Sequence, residues 1–520
     1  MRRFPLAALL LALIITLGGG CQRTELVPEP PDDPLEYTPV AVPETTLHWQ
    51  GEMAGEVTQD TVILQARLTV DGKVHFFEVE GRPGIGAFAL STERDFREAF
   101  RTRWMAASPD ADYIVKAKLA GLEPSTRYYY RLLSRADAES EPEAGPTGTF
   151  TTLDAGQVAR EVSFAVVTGM NSFLFRFRSD VENKDLGYPA LETIVSQDPD
   201  FLVATGDNVY YDTPYFGRAK SLGRMRAKWH RQFATPHFAA FFQRTPVYWQ
   251  KDDHDYRYND ADPHGNIEPS HQLGAAVFRE QVPVTPPGEE DALTYRTHRI
   301  GDLLQIWLLE GRDYRDSNIA PPGPEKTMWG AAQKDWLQKT LLASDAVFKI
   351  LVSPTPMIGP DDKTTGVQGG ILGRLAGSSP IGQGGDNRKR DNHTNPHGFL
   401  DEAEAFFAWL AEHGFLERNF YVVCGDRHWQ YHSIRPDGFE EFSSGALVDG
   451  NARLGREPGD PMSTDPDALI SQPYTQDEKS GGFLKVTASP AKGKQPATLR
   501  FDFFDEKGAH LYGTERAAHR

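Results

Sequence analysis

Apolar runs that end directly in acidic and histidine side chains occur at four places in this chain, and this repeated junction most constrains its fold. The last is the clearest, because residues 420–424 lead into Asp426 and His428, which are two residues apart. The other runs are residues 201–205, 246–249 and 303–309, and the polar residues after them include Asp207, Asp252, Asp253, His254, Asp255, Glu310 and Arg312. Strands in such patterns present their carboxyl ends at one edge of a sheet. The junctions therefore predict one site of carboxylate and imidazole groups, which metal-assisted hydrolysis requires.

The length and charge of the chain limit its domain organisation and the partners that it can bind. Its 520 residues exceed what one compact domain usually holds, and 39% are hydrophobic, so we expect a large core. The net charge is −18, whereas nucleic acid binding needs clusters of Lys and Arg. The same acidity repels anionic substrates, so a phosphate site would need metal ions to reverse the local field.

The N-terminus has the pattern of an export signal. Arg2 and Arg3 precede an apolar run at residues 6–17, and three glycines at 18–20 come directly before Cys21. This order resembles a bacterial lipoprotein box, so residues 1–21 predict a lipoprotein-type signal peptide with lipid added to Cys21. We therefore expect an exported protein of the periplasm or cell envelope, held at the membrane surface. The alternative is an ordinary secretory signal. No later apolar run is long enough to span a membrane.

The rest of the chain divides into a linker and two domains. Residues 22–43 contain six prolines and predict a semi-extended linker. Residues 44–155 show short alternating runs separated by Gly and Pro turns, which predict a β-sandwich that resembles fibronectin type III modules. This domain has no catalytic constellation and is interpreted as a structural or docking module. Residues 160–515 alternate apolar strands with amphipathic helices, which predicts sheets flanked by helices. A long loop is expected at residues 360–395.

The residues at the junctions meet the needs of a two-metal phosphoesterase, which requires a bridging oxygen, further ligands and an acid for the leaving group. Asp207 follows a strand and a glycine, so it is suited to bridge two ions. Asp253 can hold the second ion, and His254 beside it can donate a proton. Asp426 and His428 lie on one turn and can face the same pocket.

Four motifs carry a resemblance to a known family. Gly-Asp-x-x-Tyr, Asp-Asp-His-Asp, Gly-Arg-x-Tyr-Arg and Gly-Asp-Arg-His-Trp occur in this order and together resemble the alkaline phosphatase D (PhoD-like) family. The resemblance covers residues 45–515. It implies an α/β chain in which the fibronectin type III-like β-sandwich precedes a calcineurin-like αββα metallophosphatase domain. The implied activity is hydrolysis of phosphate mono- or diesters, with a metal-bound hydroxide attacking phosphorus.

The resemblance also implies roles for individual residues. The metal ligands would be Asp207, Tyr210, Asp253, Asp426 and His428. Tyr210 would bind an Fe(III)-type ion, and iron and calcium are the implied cofactors. His254 would be the general acid or would stabilise the oxyanion. Arg312 would face the phosphate, where its planar fork suits two oxygens.

One position departs from the family pattern. After the strand at 163–167 the family has a cysteine that binds iron, and here Gly169 occupies that place. A different metal, a contact from Asn171 to metal or substrate, or a weaker site are the alternatives. Asn171 offers a neutral oxygen, which would favour harder cations.

Other readings of the sequence stay open. Within enzymes, the alternative is a diesterase acting on lipids, teichoic-type polymers or extracellular nucleotides. Outside enzymes, the alternative is a non-catalytic surface binding protein that retained the metallophosphatase fold. Arg312 could instead be a buried structural residue, and Cys424 is expected to be an inert buried thiol. His393 lies in the long loop, where we expect it to face solvent.

Overall fold

The computed structural model describes residues 48–289, 291–364 and 388–519. The predicted signal peptide, the linker at residues 22–43, Cys21 and most of the predicted loop at 360–395 lie outside these ranges. The described residues form three sheets and the helices that cover them. None of those helices combines the length and the apolarity that crossing a membrane requires.

The first part of the chain is a two-sheet sandwich. Its strands are β1 His48–Gly55, β2 Thr61–His75, β3 Glu78–Gly81, β4 Gly84–Ser91, β5 Phe100–Arg101, β6 Met105–Ala107, β7 Ile114–Ala120, β8 Arg127–Arg135, β9 Glu143–Ala144 and β10 Gly148–Thr151. One layer contains β1, β2, β3 and β7, and the other contains β4, β5, β6, β8, β9 and β10. Leu64 and Leu68 of the first layer share a core with Phe88 and Leu132 of the second. The expected β-sandwich is therefore present.

The second part contains two mixed sheets and flanking helices. Its strands are β11 Val162–Val167, β12 Phe201–Thr205, β13 Val247–Gln250, β14 Arg296–Ile300, β15 Leu304–Leu308, β16 Phe348–Ser353, β17 Phe420–Cys424, β18 Gln430–Ile434, β19 Glu440–Ser444, β20 Ser471–Thr475, β21 Gly482–Ser489, β22 Thr498–Asp505 and β23 His510–Ala517. Its helices are α1 Ser172–Arg178, α2 Pro189–Ser196, α3 Leu222–Phe233, α4 Pro236–Phe242, α5 His271–Gln281, α6 Gly330–Ala343 and α7 Leu400–Glu412.

The two sheets of this second part pack face to face. Val166 and Val203 of one sheet share a buried core with Ile306 and Val423 of the other. Helices α2 to α5 cover the outer face of the first sheet, and α6 and α7 cover the second. The resulting order of layers is helix, sheet, sheet, helix, which confirms the expected αββα class. Central strands such as β12 and β17 are buried on both faces, so they are almost continuously apolar and were visible in the sequence.

The sandwich and the larger domain share a sheet, which the sequence did not indicate. Strand β1 lies parallel to β13, with Gly55 opposite Val247, so a ten-stranded sheet runs through both domains. The hydroxyl of Tyr248 donates to the carbonyl of Val57 (2.6 Å). Lys116 of β7 donates from Nζ to the carbonyl of Arg279 at the end of α5 (2.7 Å). The N-terminal domain is thus built against the domain that carries the junctions, and the boundary placed at 155–160 stays a prediction.

The two sheets are fastened together at one edge. Strands β11, β12 and β13 are mutually parallel, as are β16, β17 and β19, so their carboxyl ends gather. Thr168, directly after β11, forms a parallel bridge with Ala446, which follows β19. Leu447 donates its N–H to the Thr168 carbonyl (2.8 Å). This edge is where the site lies.

Candidate metal centre

Two Gly-Asp turns present the central carboxylates with the same backbone geometry. Asp207 and Asp426 have φ of 57° and 59°, a left-handed conformation that is costly for residues other than glycine. Gly206 before Asp207 has φ of 103°, and a Cβ there would lie 2.5 Å from the backbone nitrogen of Asp252. Only glycine therefore allows the β12 turn to approach the β13 turn this closely. Such strain is typical of functional sites, where the surrounding fold holds it.

The first group of ligand atoms converges on one oxygen of Asp207. Tyr210 donates its hydroxyl to Asp207 Oδ2 (2.6 Å), and His428 Nε2 lies 3.0 Å from the same oxygen. The Tyr210 hydroxyl and His428 Nε2 are 3.2 Å apart. A phenol, a carboxylate and an imidazole are thus close enough to share one cation.

The second group joins Asp207 to the β13 junction. Ligand atoms of Asp207, Asp253 and His254 all lie within 4.8 Å of one another. Both oxygens of Asp253 are oriented by backbone donors, the N–H of His254 (2.8 Å) and of Asp260 (2.5 Å). Asp207 belongs to both groups, so the position predicted for a bridging ligand lies between the two.

The electrostatics of these carboxylates favour a cation. Asp207 and Asp253 are 1% and 2% exposed, and among the described residues neither forms an ion pair with a lysine or arginine. Asp207 Oδ1 is buried and has no hydrogen-bond partner within residues 48–289, 291–364 and 388–519. Two neighbouring buried carboxylates without a cation are costly, because burial and mutual repulsion both oppose ionisation. The residues present therefore fit metal ions, which would supply the missing positive charge.

Both histidines have shifted pKa values. Burial lowers the pKa of His254, but Asp212, Asp253 and Asp207 together outweigh it and raise that pKa well above its usual value. Burial, followed by the charge of Arg453, lowers the pKa of His428 well below its usual value. His254 is thus set up to carry a proton, and His428 to be the neutral imidazole that a metal ligand must be.

His254 is held by a residue that the sequence analysis missed. Its Nδ1 lies 2.8 Å from Asp212 Oδ1, and its ring stacks on Tyr210 with centroids 4.2 Å apart. Nε2 has no hydrogen-bond partner among the described residues, and the side chain lines the cleft above the ligands. Asp212 lies five residues after Asp207 in the same loop, so its acidity and proximity were the available signal.

The cleft is lined by cations that no motif predicted. It has a volume of about 120 Å³, and its polar lining includes Tyr210, His254, His428, Asn451, Arg178, Arg453 and Lys479. The Arg453 Nε is buried and has no hydrogen-bond partner in the described part of the chain, and the Arg453 backbone N–H donates to the His428 carbonyl (2.8 Å). In a chain of net charge −18, this local excess of cations suits an anionic ligand.

Gly169 leaves no room for the family's cysteine. A Cβ there would lie 2.9 Å from the Ala446 Cβ and 3.0 Å from its Cα, and φ is 70°. Asn451 fills the region instead, donating from Nδ2 to the Gly169 carbonyl (3.0 Å) and to the Tyr210 hydroxyl (2.8 Å). Asn171 does not substitute for the thiolate, because it is 1% exposed and its Oδ1 accepts the N–H of Leu174 at the start of α1. The expected contact of Asn171 with metal or substrate is therefore not present.

The expectation that Arg312 faces the phosphate is not met either. Its side chain has no exposed surface, and its Nε lies 2.6 Å from Asp252 Oδ1. Its Nη1 donates to the Ala261 carbonyl (2.9 Å), and the residues that line the cleft do not include Arg312. Arg312 is the buried structural arginine that the alternative reading described.

The remaining predicted residues fall around the centre. Asp426 lies after β17 on the turn that carries His428, and its Oδ2 pairs with Arg427 (2.6 Å). Cys424 is buried and contacts the Tyr431 hydroxyl (3.4 Å), as expected of an inert thiol. The prediction that His393 faces solvent is wrong, because this residue is fully buried and its Nε2 lies 3.1 Å from Glu402 Oε2.

Two phosphatase family profiles match most of this chain. A family profile described as PhoD-like phosphatase matches residues 165–480, and one described as PhoD-like phosphatase, N-terminal domain, matches residues 42–154. Alkaline phosphatase D of Bacillus subtilis (strain 168) is 24% identical over 339 residues, which cover 58% of this chain and 54% of that protein. The chain thus aligns with about half the length of that curated relative.

Solved structures support the fold. A structure described as PhoD superposes with a TM-score of 0.65 at 18% identity and covers 90% of each chain. Purple acid phosphatase PPD1 from yellow lupin superposes with a TM-score of 0.52 at 11% identity, over 91% of this chain and 74% of that one. Because the first family profile alone spans more than half of the sequence, the chain belongs to the PhoD-like phosphatase family.

Proposed function

We propose that this chain is an exported, metal-dependent phosphoesterase that hydrolyses phosphate mono- or diesters. The observation that carries the proposal is the pair of buried carboxylates, Asp207 and Asp253, which have no lysine or arginine partner among the described residues and lie beside Tyr210, His254 and His428. Such a donor set suits at least two metal ions bridged by Asp207. Membership of the PhoD-like phosphatase family supports the same activity.

Named residues would hold the ions. Tyr210 and His428 would bind one, Asp253 would bind the other, Asp207 would bridge both, and Asp426 would complete the set from the β17 turn. When bound, such ions lower the pKa of a water ligand and offset charge on the phosphoryl oxygens. Tyr210, Asp207 and His428 suit iron as the family implies, but Gly169 offers no thiolate, so a metal set without a cysteine ligand is proposed for this chain.

His254 would deliver the proton that the leaving oxygen needs. Asp212 holds Nδ1 and stabilises the charged ring, which leaves Nε2 as the atom able to donate into the cleft. Stacking on Tyr210 fixes the plane of the ring next to the ligands. This arrangement is that of a general acid oriented by a carboxylate.

The cations of the cleft would bind the substrate. Arg453, next to His428, is placed for the phosphoryl oxygens, and Arg178 and Lys479 lie further along the same lining. A volume of about 120 Å³ holds only a few water-sized groups, so the phosphate is enclosed while the rest of the ester extends towards solvent. We therefore infer that the enzyme recognises the phosphate group of its substrate more strictly than the alcohol group. The predicted export and the lipid on Cys21 would place this activity in the cell envelope.

Elemental analysis and turnover, measured together, test the proposal. The protein would be produced from Gln22 onward and assayed with an aryl phosphate monoester and the matching diester. We expect stoichiometric metal and turnover that a chelator abolishes and added metal restores. A folded protein that holds no metal after metals are supplied would overturn the proposal and favour a non-catalytic binding protein. Asp110→Asn, an exposed acid in the sandwich, is a matched control that should change neither quantity.

A further inference from the structure

The hairpin between β2 and β3 ends in two exposed phenylalanines. Phe76 is 100% exposed and Phe77 is 77% exposed, and Val70 and Val74 on the ascending strand are each about half exposed. The strand is buried from Val62 to Thr69 and becomes exposed from Val70 onward, so the ribbon projects from the sandwich. Four exposed apolar side chains thus lie within eight consecutive residues of one hairpin. We call residues 70–78 the aromatic tip.

The backbone of the aromatic tip makes these residues more unusual. His75 pairs with Glu78, so Phe76 and Phe77 are the two central residues of a tight turn. Their φ values are 49° and 73°, whereas a two-residue turn of this kind normally uses Asn-Gly or similar residues. A bulky residue in this conformation is strained. Phe76 and Phe77 therefore combine a strained backbone with exposed aromatic side chains. Neither property stabilises the fold, so the stability of the fold does not explain the two phenylalanines.

We propose that the aromatic tip inserts into the surface of a lipid bilayer and so docks the protein on a membrane. Aromatic side chains on a narrow projection enter the boundary between headgroups and acyl chains without unfolding their support. Helix α3 supports one side of the tip, because His230 Nδ1 lies 2.5 Å from Glu78 Oε1 and the Arg231 guanidinium lies 5.9 Å from the Phe77 ring centroid. One acyl chain gives only marginal attachment, so the tip would add a second anchor to the predicted lipid on Cys21.

The position of the tip favours a membrane over another occupant. The described chain starts at His48, which pairs with Thr69 at the base of the projecting ribbon. Thr69 also pairs with Gly81, and His75 pairs with Glu78 after an irregularity in β2, so the turn lies about 10 Å beyond that point. The residues between Cys21 and His48 reach at most about 90 Å, so a lipid on Cys21 and the aromatic tip can meet one surface. Because β1 runs parallel to β13, this end of the sheet points away from the carboxyl ends that carry the metal centre.

The charges of the protein define which kind of surface is expected. The net charge is −18, and the tip itself carries Asp71, Lys73, His75 and Glu78, with Asp71 and His75 paired (2.5 Å). We therefore expect little attraction to anionic lipid, so attachment would come from apolar insertion. We expect binding to zwitterionic bilayers that is insensitive to salt.

Co-sedimentation with phosphatidylcholine vesicles tests the proposal. The protein would start at Gln22, which keeps every described residue and excludes any acyl chain, so the result does not depend on lipidation. Phe76→Ser/Phe77→Ser should lower the partition coefficient about tenfold or more, because both side chains lose their apolar insertion. Phe100→Ser, which changes a 65% exposed phenylalanine elsewhere in the sandwich, should bind as the parent does.

A second variant separates binding from folding. Phe76→Asn/Phe77→Gly introduces the residues that this turn prefers, so it should raise the unfolding temperature while abolishing vesicle binding. Turnover of a soluble aryl phosphate should be the same in all four proteins. Failure of the parent protein to bind vesicles, or unchanged binding in either double variant, would overturn the proposal. It would also be overturned if the parent self-associates through the tip instead, seen as an oligomer in sedimentation that both variants lose.

Discussion

Two buried polar clusters follow from the same kind of sequence junction, and they differ in how their charges are balanced. The site cluster contains Asp207, Tyr210, Asp253, His254 and His428. The ion-pair cluster contains Lys251, Asp252, Glu310, Arg312 and Asp313. In the ion-pair cluster each carboxylate has a cation, with Lys251 Nζ 2.5 Å from Glu310 and 2.9 Å from Asp313, and Arg312 bound to Asp252. In the site cluster the carboxylates face one another.

The comparison shows how a metal centre differs from a structural ion network. Burial removes solvation from charges in both clusters, and only a matched partner offsets that cost. The ion-pair cluster supplies the partner from its own side chains, so it needs no ligand. The site cluster contains no lysine or arginine, so a bound metal ion would supply the positive charge that its carboxylates need. A strand that ends in acidic residues thus predicts buried carboxylates. Whether a lysine or arginine lies beside them decides whether they form structural ion pairs or a metal site.

The largest effect on turnover is expected from the shared carboxylate of the site cluster. Asp207→Asn should lower kcat about a thousandfold or more, because it removes the charge common to both groups of ligands. Metal content should fall in the same variant, while circular dichroism stays that of the folded protein. Full activity with full metal content would contradict the assignment of the site cluster.

A smaller effect is expected from the residue that orients His254. Asp212→Asn should lower kcat by about 10- to 100-fold with metal content unchanged, because the ring loses its charged partner but keeps its place. The pKa of His254 is raised partly by Asp212, so its proton would be lost at lower pH in the variant. The alkaline limb of the kcat profile should shift downwards in pH. An unshifted profile with normal kcat would exclude His254 as the proton donor held by Asp212.

Arg453 tests whether the cleft cations belong to substrate binding. Arg453→Met should raise KM about tenfold with a smaller change in kcat, since a charge-assisted hydrogen bond to phosphate is lost. Lys479→Met is the comparison variant, because this lysine is exposed and its effect is screened by salt. If both variants change KM equally and only slightly at low salt, the two cations contribute to the overall electrostatic potential of the cleft and do not contact the substrate directly.

The ion-pair cluster should respond in stability rather than in chemistry. Arg312→Met leaves Asp252 buried without its partner and should cost about 3–5 kcal/mol of unfolding free energy. Turnover per folded molecule should stay within about tenfold of the parent. Arg312→Met/Asp252→Leu should recover most of the stability, because the buried charge is then absent. A large loss of kcat in a stable Arg312 variant would return this residue to the substrate site.

Much of the fold and part of the site could be predicted from the sequence. Apolar runs such as residues 201–205 and 420–424 are buried on both faces, so their composition alone marks them as strands. The residues that follow those strands were identified because the chain direction places them at one edge of the sheet. Asp207, Tyr210, His254 and His428 come together as the motifs indicated. The sequence also showed that glycine occupies position 169 where the family has a cysteine, since a missing side chain can be read from the residue type alone.

The tertiary structure decided what each polar residue does. Arg312 and Arg453 are both arginines beside site motifs, yet one is bound to Asp252 out of reach of solvent and the other lines the cleft. Asn451 and Ala446 come from a distant segment, and they close the space that a cysteine at position 169 would need. The parallel pairing of β1 with β13 joins residues almost 200 positions apart in the chain. The sequence by itself determined which residues are apolar and which chemical groups follow the strands, because these depend on local order. Which charges are paired, which are left for a metal and where space remains depend on contacts between remote segments, and only the packed chain defines them.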